Sequence, residues 1–98
     1  METETNQFFD RNSELSVEFS KYVLEHPEMD DLLTEDTVVV FLPEFDAELR
    51  DFNFKLAKKM KKDGGKVLFV KVKQMSREVF SRLIGVEVGG EIEDPLNL

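Results

Sequence analysis

Three carboxylates stand at every second position behind an apolar run. They are Glu44, Asp46 and Glu48 in the stretch VVVFLPEFDAEL. Carboxylates at the carboxyl end of a strand can hold a hard cation such as Mg²⁺ or grip a small polar ligand. Glu44 and Asp46 are therefore the candidate ligand or metal residues. A metal site normally draws on more than one strand end, and the other apolar run ends in VKVKQ, without an acid. Nor is there a Gly-rich phosphate loop, since Pro43 and carboxylates stand where glycines would let a backbone approach phosphate. Helix entry explains most of the same residues, with Asp46 as N-cap and Glu48 in a first turn that favours negative charge. Glu44 is left without a role.

The other candidates are weaker as chemistry. His26 is the only histidine, and no serine stands in a nucleophile-elbow context to pair with it. No catalytic residue is assigned. Lys58, Lys59, Lys61, Lys62, Lys66, Lys71 and Lys73 form a basic set, but Arg and exposed aromatics are not interleaved with it as a nucleic-acid reader would want. A solvated helix end and strand edge account for them in an acidic chain; the alternative is a docking face for an acidic partner, the chain's own N-terminal region included, with Lys58 and Lys62 in it. The C-terminal GGEIEDPLNL spaces Ile92, Leu96 and Leu98 along an acidic strip. Such a strip can fray, lie on its own sheet or dock on a partner.

Composition narrows the classes. The chain has 98 residues, 41% hydrophobic and 35% charged, with nine Phe and no Cys. That suits one soluble domain with a modest core, and it excludes disulfides, thiolate metal sites and a cysteine nucleophile. The net charge of −8 argues against a general nucleic-acid binder. Charge is also polarised. Residues 1–36 hold 11 acids and 2 bases, whereas residues 64–75 hold 3 bases and no acid. The acidic N-terminus is unlike a signal peptide, and no apolar run approaches the ~20 residues that span a bilayer. The cytoplasm is the expected compartment.

The elements that must position these residues follow from periodicity. Phe8, Asn12, Leu15, Phe19, Tyr22 and His26 recur at spacings of three or four and predict a helix over 6–26, ended by Pro27. Phe9 and Val23 widen its stripe, and Glu18 lies off it. Residues 27–33 predict a short helical turn. The uninterrupted run 37–42 predicts a strand covered on both faces. A second helix over 46–62 carries the stripe Leu49, Phe52, Leu56 and Met60, with a lysine-rich last turn and a glycine stop at Gly64 and Gly65. Residues 66–73 predict a second strand, parallel to the first through a right-handed βαβ crossover. Residues 76–85 are expected to be a short helix, with Val79, Phe80, Leu83 and Ile84 inward, and residues 86–88 a short edge strand. The domain is placed at 1–88 and a tail at 89–98.

The pieces NSELSVEFSKYVLEHPE, VVFLPEFDAEL, LAKK with VLFVKVK, and SRL resemble a family of small uncharacterised prokaryotic proteins, a domain of unknown function. The resemblance runs to about Leu83. It implies a prokaryotic cytoplasmic protein and brings no activity or cofactor. The expected fold is thus a small α/β domain in the order α-β-α-β with a C-terminal helix and tail. A two-stranded sheet leaves two bare edges, so a homodimer is expected to complete it. The leading functional expectation is a non-enzymatic protein-interaction module, regulatory or antitoxin-like, without cofactor, nucleic acid or membrane. The alternative is a small-molecule or divalent-metal binder that uses Glu44 and Asp46.

Overall fold

The computed structural model describes residues 2–76 and 82–96. The elements are α1 (Glu2–Glu25), a 3₁₀ turn (Pro27–Asp31), β1 (Thr37–Pro43), α2 (Ala47–Lys62), β2 (Lys66–Met75) and β3 (Leu83–Gly89). Two helices and a mixed three-stranded sheet in the order β1-β2-β3 make a small α/β domain. β1 and β2 are parallel, from Thr37 opposite Lys66 to Pro43 opposite Val72. β3 returns antiparallel on the other side of β2.

Strand alternation sorts the core into two layers. Val40 and Leu42 of β1, with Val67 and Phe69 of β2, pack against Phe54 and Ala57 of α2. Phe41, Val70 and Val72 point the other way, against Phe8, Leu15 and Phe19 of α1. Phe19 meets Phe41 edge to face at 5.7 Å between ring centres. The apolar runs of β1 and β2 are thus explained by a sheet clothed on both sides.

The C-terminal region differs from expectation. Leu83 and Ile84 open a seven-residue strand rather than closing a helix; residues 77–81, including Val79 and Phe80, lie outside the described residues. Alternating Ile84, Val86 and Val88 suit a pleated ribbon, and the bare edge of β2 offers it a ladder from Met75 to Phe69. Gly85 has φ +66°, and a Cβ there would stand 2.6 Å from Lys73 Cβ across the pair. Glycine is the residue that fits this position.

The α1 stripe is kept, with Phe8, Leu15 and Phe19 buried and Tyr22 and Val23 packed beside them, whereas the buried face of α2 keeps Leu49 but turns away from the rest of its stripe. Phe52 and Leu56 of α2 are exposed, while Asn53, Phe54 and Ala57 are buried. On α1, Phe9 is 69% exposed and Glu18 is 5% exposed, the reverse of what polarity suggests. The α2 rotation has a polar cause. Asn53 Nδ2 donates to Phe41 O at 2.9 Å and to Asn12 Oδ1 at 2.8 Å, and Asn12 Nδ2 donates back to Asn53 Oδ1 at 3.0 Å. One buried amide therefore ties α1, α2 and β1 together.

This clasp also settles the edge of β1. Glu44 N–H donates to Val72 O at 2.8 Å, so the backbone N–H and C=O of the even-numbered residues of β1 point to β2 and those of the odd-numbered ones point outward. Of the outward groups, Thr37 N–H is bound to Thr34 O, Phe41 O is bound to Asn53, and Pro43 has no N–H. The edge is blunted from within the chain.

Replacing Asn53 with Ala strands Phe41 O and the Asn12 amide. Unfolding in urea should show a loss of about 1–3 kcal/mol, the cost of unpaired buried polar groups. A loss no larger than that of an exposed alanine substitution such as Lys55→Ala would contradict the clasp.

Candidate functional site

The three carboxylates part company once the helices are in place. Asp46 caps α2, accepting from Leu49 N–H at 3.2 Å. Its carboxylate also receives Arg11 Nη1 of α1, at 2.9 Å to Oδ2 and 3.1 Å to Oδ1. Arg11 Nη2 reaches Glu48 Oε1 at 2.9 Å. The guanidinium stands 4.8 Å from the centre of the Phe8 ring, and Phe8 stacks on Phe52 at 4.3 Å. The hydrogen bonds it donates to Glu48 and then to Asp46 hold the Arg11 pKa above its ordinary value. Asp46 and Glu48 thus pin the start of α2 to α1.

Glu44 turns to the sheet instead. Its carboxylate lies 3.2 Å from Lys71 Nζ of β2, and the same ammonium lies 3.4 Å from Glu87 of β3. The hydrogen bond to Glu44, aided by Glu87, raises the Lys71 pKa against the opposing effect of partial burial. Glu44 and Asp46 are therefore held by different cations. Among the described residues, no three or more His, Cys, Asp or Glu side chains are grouped to hold a metal ion.

An open pocket of about 450 Å³ adjoins Glu44, lined by Leu42, Arg50, Lys71, Ile92 and Asp94 among others. Its far wall is the tail. Ile92 and Leu96 pack on the α2-side core, and Lys61 Nζ donates to Gly90 O at 3.0 Å. Two expected docking residues thus rest on their own sheet, while Leu98 lies outside the described residues. Lys58 sits over the Phe54 ring at 5.9 Å and Lys62 is exposed. His26 stacks on Tyr22 at 3.9 Å, with Nδ1 2.8 Å from Tyr22 O, at the end of α1.

A second concavity, of about 300 Å³, follows the β1 edge between α1 and α2. Phe9, Ser13 and Ser16 line one side, Leu56 and Met60 the other, and Val38 lies on the floor. No charged side chain lines it. The sequence stripes assigned Phe9 and Leu56 to the core, which hid this surface.

Glu18 is the buried acid that periodicity placed outside. Burial pushes its pKa up, but Arg82 N–H at 3.1 Å and Lys21 Nζ at 3.2 Å outweigh it, and the net shift is downward. The carboxylate ties α1 to the start of β3.

A family model with the description "Family of unknown function (DUF5647)" matches residues 7–86. No curated protein and no solved structure matches the chain.

A carboxylate whose folded pKa is depressed stabilises fully above its unfolded pKa of about 4.3. That contribution disappears as pH falls through the lower folded value. Glu18→Gln should therefore flatten the acid limb of stability against pH, measured by urea unfolding below about pH 5. An unchanged slope would contradict the assignment.

Proposed function

The chain belongs to this family of unknown function, and from that premise we propose that it is a non-enzymatic protein-interaction module acting as a homodimer in the cytoplasm. The observation that carries the reading is the uncharged band at the β1 side of the molecule. Phe9, Val38 and Leu56 are 69%, 43% and 48% exposed there, in a chain that is 35% charged. Contiguous exposed apolar surface rimmed by charge is characteristic of a contact site. The groups with catalytic potential support the same reading from the other side. Asp46, Glu48, Glu44 and His26 each hold a structural partner. No helix among the described residues is long and apolar enough to cross a membrane. The band carries the interaction better than the tail, because Ile92 and Leu96 already cover this chain's own core.

A photo-reactive amino acid at Leu56, in cells that make the protein naturally, should yield discrete protein adducts. The same probe at Lys62, outside the band, should not. Absence of adducts from position 56 would overturn the reading.

The pocket beside Glu44 favours a second reading, a small-molecule or divalent-cation site at the carboxyl end of β1. It sits where open α/β sheets commonly bind ligands, and it combines Lys71 and Arg50 with Glu44 and Asp94, a lining of both signs that suits a polar small molecule better than a bare cation. Calorimetric titration with Mg²⁺ or Mn²⁺ should then give heat that Glu44→Ala abolishes. No heat, or heat unchanged by the substitution, would exclude the cation form of this reading.

A further inference from the structure

α1 carries a second, exposed face beside its buried one. Phe9, Ser13, Ser16, Val17, Ser20 and Leu24 are all exposed and fall on one side of a helix of 3.6 residues per turn. None is charged, and Val17 and Leu24 are 57% and 84% exposed. The first three also line the β1 groove, so the face and the groove are one surface.

The order of these residues is self-complementary. Setting two copies of α1 antiparallel, with a two-fold axis between Ser16 and Val17, places Phe9 level with Leu24 of the second copy. Ser13 comes level with Ser20, and Ser16 with Val17. Small residues sit at the centre, where helices must approach closely, and large apolar residues close both ends. The Ser20 hydroxyl already donates to Ser16 O at 3.0 Å, so its burial leaves no donor stranded. The charges agree. Asp10 and Lys21 occupy the same flank of this face, and the antiparallel arrangement brings acid and base within two residues, about 3 Å along the axis, where Lys21 would be shared with Glu18 of its own chain.

We infer that the occupant of this surface is a second copy of the chain, docked through an antiparallel α1 pair centred on Ser16 and Val17. The inference rests on the reading of the uncharged band as a contact surface. It places the expected dimer on a helical face rather than at a sheet edge; on the β1 edge, Phe41 O is held by Asn53, Thr37 N–H by Thr34 O, and Pro43 has no N–H to offer. An isologous contact of this kind closes on itself and leaves no growing end.

Sedimentation equilibrium of the wild type, Val17→Glu and Leu24→Glu decides the matter, with thermal melting to confirm that the exposed substitutions keep the fold. The wild type should have twice the chain mass and both variants the single mass. Because the chain has no cysteine, Ser16→Cys offers an independent reading: mild oxidation should link two chains through this position. A wild type that stays monomeric at its highest soluble concentration would overturn the inference. So would dimers that persist in both variants and fail to cross-link through Ser16→Cys. A monomeric wild type would also remove the homodimer from the proposed function; protein adducts retained at position 56 would then leave interaction with another protein standing, and their absence would remove both.

Discussion

The fold depends on one buried amide. Asn53 is 3% exposed and satisfies Phe41 O and Asn12 together. A hydrogen-bonded polar group inside a small core has few geometries in which all partners are met, and an unmet partner is costly. That requirement fixes the rotation of α2 about its axis. With Asn53 turned inward, Phe54 and Ala57 reach the sheet and Leu56 is left outside. It also fixes α1 against the edge of β1, so that Phe8 faces in and Phe9 faces out. The exposed apolar band is therefore a consequence of the clasp, and the two cannot be altered independently.

Electrostatics reinforces the same junction. Arg11 is one of only 2 bases in the acidic first third of the chain, and it is spent on the cap and first turn of α2. At the far end of α1, Glu18 accepts from the backbone of Arg82 and joins the helix to the last strand. At the sheet, Lys71 lies between Glu44 and Glu87 and links neighbours on all three strands. Each pair joins elements distant in sequence. The acidic-looking stretch after β1 is thus a structural junction with cations supplied by α1 and β2.

Much of this was legible in the sequence. The parallel βαβ unit, the Asp46 cap and the proline stop after α1 follow from local rules that the tertiary structure respects. Val86–Val88 was recognisable as a strand, but its extension back to Leu83 depended on pairing with β2, which no local pattern announces. The α2 stripe misled because Phe52 and Leu56 are the more apolar residues, and periodicity scores polarity without knowing that an amide has two partners waiting. Asn12 on the buried stripe of α1 was the available signal, since a polar residue on such a face needs a partner. Glu18 gave no signal, because its chief partner is a backbone N–H sixty-four residues away. At the candidate site, helix entry accounts for Asp46 and Glu48 and leaves Glu44 aside. Its partner is Lys71, on the strand paired with its own.

The central claim is that the face left exposed by the clasp is covered by its own image. Isotope-filtered NMR on a mixture of labelled and unlabelled chains reports contacts between copies alone. The account predicts intermolecular nuclear Overhauser effects between the Phe9 ring and the Leu24 methyl groups, which lie on opposite halves of α1. Intermolecular contacts confined to other residues, or none, would contradict it.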